Sequence, residues 1–193
     1  MIEIEELKEV VATLEATFAP IKASDVTVEE VAKSEWVPKV YPERDDTPIL
    51  VCGSRTPQYR DNPSYVSWFE RMMMKALDDM AFKLDDRESE PFFFLSGMAV
   101  SGADFHICDL AEKLKIEVEE YPAAWNYYGK KAGMVRNSQM LARVKELSGV
   151  VVAFWDMKSA GTKDTIRKAT QMGIEVYLID INLYERNNND WTN

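Results

Sequence analysis

"FFFLSGMAVSGADFHICDLAEKL", residues 92–114, runs from three phenylalanines through a turn holding Gly97 and Gly102 into an amphipathic helix. An apolar run of strand length, a glycine turn and a helix make one βα unit. Ser96, Gly97, Ser101, Gly102 and Asp104 all fall at the junction. A tight turn needs about one glycine, so two point to a backbone that must come close to something else.

The same unit recurs on both sides of this stretch. "PILVCGSR" (48–55) reads as a buried strand, followed by a long helix over 64–84. Further on come "IEVEEYPA" and a helix over 130–147, "GVVVAFWD" and a helix over 161–173, and finally "IEVYLIDI". Short strands alternating with longer helices predict right-handed crossovers around a parallel sheet. The expected fold is α/β: a Rossmann-like, doubly wound, mainly parallel five-stranded sheet with helices on both faces and an N-terminal helical extension.

The chain has 193 residues and a net charge of −10, and its acidity is uneven: residues 1–48 hold 12 Asp/Glu against 5 Lys/Arg. Such a balance argues against broad nucleic-acid or anionic-membrane binding, which needs clustered cations, while leaving room for a local basic pocket. Residues 1–47 read as an acidic accessory segment. It has helical spacing from Ile2 to Phe18, Ser24 or Asp25 as an N-cap, and Val28 and Val31 on a second apolar face. Such faces need a partner surface, so the segment is expected to cover an edge of the sheet or to mediate association, and the chain to form a homo-oligomer, dimer or higher. Residues 48–181 form the expected main domain and 182–193 a polar tail. The start lacks a basic n-region, and no window reaches 18 apolar residues, so the reading is a soluble cytoplasmic protein. Cys52 and Cys108 read as buried thiols, and with His106 the sole histidine no metal site is expected.

In an open parallel sheet the ligand site lies beyond the carboxyl ends of the strands. Four loops leave strands there. They supply Gly53, Ser54 and Arg55; Ser96, Gly97, Gly102, Ala103 and Asp104; Trp125, Arg136 and Asn137; and Ser159, Gly161 and Thr162. Glycines opening a helix let backbone N–H groups face a phosphate at the positive end of the helix. Arg55 and Arg136 add charge, and Trp125 offers a stacking face when it is not part of the core. Asp104 and Asp164 sit in first helical turns, where a carboxylate also complements the helix dipole. The chain has no Gly-x-Gly-x-x-Gly after the first strand, no Walker loop and no evident Ser–His–Asp triad, which disfavours a standard dehydrogenase, P-loop NTPase or serine hydrolase.

The pieces "VCGSR" (51–55), "SGMAVSGAD" (96–104), "PAAWNYYGKKAGMVRNSQM" (122–140) and "WDMKSAGTKDTI" (155–166) resemble the YspA/YpsA-related branch of the SLOG superfamily in order and spacing. The resemblance spans residues 48–181, and "AGMVRN" and "SAGT" weigh most. It implies a three-layer Rossmann-like domain binding a nucleotide or nucleotide-derived molecule of the NAD or ADP-ribose type, as a sensor or sequestering protein, with no certain cofactor. A neighbouring branch, the lonely-guy phosphoribohydrolases, cleaves the N-glycosidic bond of nucleotides with a Pro-Gly-Gly-x-Gly-Thr-x-x-Glu motif. Here the corresponding run is Met157 to Thr165, with Thr165 at the Glu position. Asp164, one residue earlier, lies about 100° away around the helix. An N-glycosidase with Asp104 or Asp164 as its carboxylate is therefore the alternative expectation.

Overall fold

A computed structural model describes residues 41, 43–82 and 91–189. The expected helices of the first 40 residues lie outside these. All described residues belong to the second of the chain's two units, Tyr41–Asn193.

Five strands form one sheet: β1 (Thr47–Gly53), β2 (Phe92–Ser96), β3 (Val118–Glu120), β4 (Val150–Trp155) and β5 (Glu175–Asp180). Every pairing is parallel and the order is β3-β2-β1-β4-β5. The fold is the doubly wound α/β arrangement read from the sequence. Chain direction across the sheet reverses between β1 and β4, and at that point the connecting loops diverge to opposite faces.

Strand residues point alternately to the two faces, and both faces are apolar. Ile49, Val51, Phe94, Val152, Phe154 and Ile179 pack under α1 (Pro63–Asp79) and α2 (Ala103–Leu114), through Tyr65, Trp68, Phe69, Met73, Ile107 and Leu110. Leu50, Cys52, Phe93, Leu95, Val151 and Ala153 pack under α4 (Ala132–Glu146) and α5 (Ala160–Gln171), through Met140, Leu141, Val144 and Ala169. The continuous apolar runs of the strands follow from burial on both faces.

Helix ends obey local chemistry. Asn62 caps α1, its side chain accepting from the Ser64 and Tyr65 amides, with Pro63 in the first turn. Lys115 adopts the left-handed conformation (φ 57°) after α2, and Ser159 caps α5. A short helix, α3 (Trp125–Tyr128), was not anticipated.

Two expectations are corrected. Residues 182–189 are not a loose polar tail but a helix, α6 (Asn182–Asn189), anchored where Tyr184 meets the rings of Tyr59, Tyr65 and Trp68. A single tyrosine among asparagines gives too short a periodic signal to read. The stretch Glu35–Pro48, with three prolines and mixed charges, reads in sequence as a linker, yet Tyr41 and Arg44 within it are clasped to β3. Tyr41 stacks on Tyr121 at 4.3 Å and its hydroxyl donates to the Glu120 carbonyl. Arg44 pairs with Glu117 at 2.7 Å and lies over the Phe93 ring. Beneath them the buried Glu119 carboxylate accepts from Tyr121 at 2.6 Å and pairs with Arg143. Tyr41→Ala is expected to remove a ring stack and a hydrogen bond together worth about 2 kcal/mol. In a unit of this size that lowers the melting temperature by about 4–8 °C, measurable by calorimetry. A chain shortened to Thr47 loses this clasp, so a cut at Tyr41 is the appropriate one for separating the units.

Among the described residues no helix is long and apolar enough to cross a membrane.

Candidate functional site

The β2–α2 turn answers the question raised by its glycines. Gly102 has φ 82°, and a Cβ there would run into the Ser54 backbone carbonyl. A Cβ on Gly97 would strike the Arg136 guanidinium and the Asp104 carboxylate. Both glycines are required by close approaches within the protein. The Gly97 N–H, expected to face a phosphate, instead donates to Asp104 Oδ1 at 2.9 Å.

Around this turn lies a buried polar floor. Arg136, 8% exposed, donates from a terminal nitrogen to the Gly97 carbonyl and from Nε to Asn137 Oδ1 at 2.7 Å, and stands 3.9 Å from Asp104. Burial pulls both charged groups toward neutrality, lifting the Asp104 carboxyl and lowering Arg136, while each opposes that pull on the other. Ser96, fully buried, donates to the Asp104 carbonyl and accepts from the Met98 amide. Ala103 is buried, and Gly53 fits closely against it and Phe154. Asn137 Nδ2 donates to Thr165 Oγ1 at 2.9 Å, joining α4 to α5. The Arg136 expectation is thereby revised: its guanidinium is held within the floor rather than presented to a ligand.

A second latch joins β1 to β4. The Ser54 hydroxyl donates to Asp156 Oδ1 at 2.8 Å, and the Asp156 N–H returns to Ser54 Oγ. Asp156 Oδ1 also accepts the Lys158 and Ser159 amides at 2.9 and 2.7 Å. Burial opposes its charge, but these donors prevail and hold its carboxyl below the usual range. The latch positions Ser159, whose Oγ accepts from the Thr162 amide and hydroxyl and starts α5. Thr162 is itself buried. Gly161 faces open space, with nothing within 4 Å of where a Cβ would stand.

Above the floor is an exposed rim. Arg55 is solvent-exposed and makes no hydrogen bond or ion pair among the described residues. It lies beside Gly102, on the loop leaving β1 at the reversal point. Trp125 is 52% exposed at the start of α3, near Gly133 of α4. Met98, Val100, Tyr127, Met134 and Met157 are also exposed large apolar side chains at this edge. Sequence reasoning did not single them out. Met98 (φ 55°) and Met157 (φ 61°) are left-handed outside any helix end, unlike Ala81, Lys115 and Ser148, which follow α1, α2 and α4. Strained non-glycine backbone of this kind clusters at ligand-binding loops.

Charge separates this edge from the rest of the molecule. Residues 54–59, 97–102, 121–131 and 156–159 carry Arg55, Lys130, Lys131 and Lys158, all exposed, and one carboxylate, the latched Asp156. Lys163 follows in the first turns of α5 and is exposed as well. In a chain of net charge −10 this is a local reversal of sign.

Asp164, the other carboxylate singled out, pairs with Arg167 at 2.7 Å and with Lys168 at 2.9 Å, and Lys168 in turn donates to Ser138 of α4. Those ion pairs outweigh burial and keep its carboxyl low. Among the described residues no group of His, Cys, Asp and Glu could hold a metal ion. Cys52 is buried under the floor, while Cys108 is only half buried, with its Sγ 3.5 Å from Ser96 Oγ.

The unit Tyr41–Asn193 is thus a doubly wound α/β domain with a basic, apolar-rimmed edge at its switch point. No protein-family model matches the chain, and no curated protein sequence does. Among solved structures it is similar to the nicotinamidase SaPncA from Staphylococcus aureus. The two are 10% identical over 68% of this chain and 99% of that one, with a TM-score of 0.33. A likeness that slight carries no argument about this site.

Proposed function

We propose that this edge binds an anionic small molecule bearing a planar ring, of the nucleotide or ADP-ribose type, and that the protein acts as a sensor or sequestering module of the SLOG type. The observation that carries the reading is the run of exposed cations on the switch-point loops, Arg55 foremost, with a single carboxylate among them already hydrogen-bonded. An anion there meets Arg55, Lys158 and the open first turn of α5 at Gly161, where the helix dipole favours negative charge. Trp125 and the methionines supply apolar surface for a ring. The resemblance in "AGMVRN" and "SAGT" supports the same class, since Asn137 and Thr162 anchor the facing turns of α4 and α5.

An N-glycosidase reading gains no support from the carboxylates. Asp104 is buried against Gly97 and Arg136, Asp156 accepts three hydrogen bonds, and Asp164 is paired with two cations. None of them stands ready to activate a water. The experiment is a thermal-shift screen with AMP, ADP, ADP-ribose and NAD, each mixture then chromatographed for free base. Stabilisation without base release supports the binding reading. Base release replaces it with the hydrolase, and no shift from any member removes both.

A further inference from the structure

We propose that His106 is an acid-sensitive latch on the first turn of α2, whose protonation loosens that turn and the polar floor attached to it. His106 is the only histidine of the chain and is 2% exposed. Its ring lies among those of Tyr65, Phe69 and Phe105, at 5.5, 5.3 and 5.4 Å between centroids. Neither ring nitrogen has a hydrogen-bond partner among the described residues. A neutral imidazole in such a nest already lacks the hydrogen bonds that water would give it. The imidazolium would add a charge and a second unpaired N–H.

The charged groups around the nest do not relieve this. Asp109 comes from α2 itself, Glu70 from α1, and Arg60 and Asp61 from the loop before α1. Arg60 lies over the Phe105 ring at 4.5 Å, where its charge works against a second cation. Glu70 is engaged by Lys113. Burial dominates and lowers the affinity of the ring for a proton, although the carboxylates act the other way.

The mechanical link is short. The His106 N–H donates to the Gly102 carbonyl at 3.1 Å, and two residues before it Asp104 holds the Gly97 amide. A ring that must leave its nest to take up a proton carries this turn with it. The sign follows from linkage. A histidine whose folded affinity is depressed contributes stability that is whole above its free pKa of about 6.5, and that falls away as pH drops below it. One such proton raises the opened population by up to about tenfold per pH unit until the folded value is passed.

The test uses the full chain. Because there is one histidine, its ring protons give an unambiguous NMR titration from pH 8 to 4.5. Amide exchange at Gly97 and Phe105 is followed beside that at Leu50 and Val51. The expected result is a ring that stays neutral well below pH 6.5. Protection at Gly97 and Phe105 falls by up to about tenfold per pH unit while β1 keeps its own. His106→Phe, or His106→Leu should the first fold poorly, abolishes that pH dependence. A ring titrating at its ordinary value with protection unchanged overturns the proposal, as does loss of protection in all four amides together. Retention of the effect in a folded His106→Phe protein also overturns it. The wild-type titration and exchange decide the matter even if both variants fail to fold.

Discussion

Arg136→Ala is expected to lower the stability of the domain by about 3–5 kcal/mol, the effect of stranding a buried carboxylate without its cation. Asp104 would keep its Gly97 hydrogen bond and lose the only positive group beside it in the floor, and the Gly97 carbonyl would lose its donor. A melting temperature lower by about 10 °C or more follows for a unit of this size. The double variant Arg136→Ala/Asp104→Asn removes both charges and should recover part of the loss, because what costs most is the unpaired charge rather than the absent pair. Chemical denaturation of the wild type, Arg136→Ala, Asp104→Asn and the double variant measures the coupling directly. If Arg136→Ala unfolds like the wild type, the floor is not held as described.

Gly102→Val is the second large effect. A β-branched residue at φ 82° costs about 1–3 kcal/mol in conformation alone. Overpacking against the Ser54 backbone adds another 1–3 kcal/mol or about that. The variant should express poorly or melt far below the wild type. It therefore cannot probe ligand access, which is the use the sequence alone would give it. Gly161 serves that purpose, since its surroundings are open. Gly161→Val should fold normally and place a side chain at the proposed anion-binding turn. A stable Gly102→Val protein would show that the β1 and β2 loops do not approach as closely as their backbone positions require.

The sheet was legible because burial on both faces leaves an unbroken mark. "PILVCG", "PFFFL" and "GVVVAFW" carry no polar side chain, and each gives way to a serine or an aspartate. β3 is only three residues long, so its signal merged with the turn after it. The site's place at the strand ends was equally readable, because topology alone puts it there. The division of labour within the site was not. Gly97, Gly102, Ser54 and Arg136 carry the residue types of an anion cradle, yet each meets a partner from a distant part of the chain, while Ser96 closes onto Asp104 within its own turn. Sequence spacing cannot show that Arg136 reaches Gly97 across 39 positions. Conversely, Lys158 looks ordinary in sequence, and Arg55, though already a candidate there, gains its weight from an exposed guanidinium with no hydrogen bond or ion pair among the described residues. Asp156 had a readable signal, an aspartate directly after a strand with a serine three residues on, which is the pattern of a side chain closing its own turn.

The central claim is that the switch-point edge recognises an anionic ligand through the rim rather than the floor. Calorimetric titration of AMP, ADP, ADP-ribose and NAD into the wild type and Arg55→Ala tests it most directly. Arg55 makes no hydrogen bond or ion pair among the described residues, and its charge acts only weakly on Asp104 and Arg136, so the variant should melt close to the wild type. Its affinity should nevertheless fall about ten- to hundredfold, the loss of one charge-assisted hydrogen bond of about 1.5–3 kcal/mol. An Arg55→Ala protein that binds as tightly as the wild type, or a wild type that binds none of the four, would contradict the account.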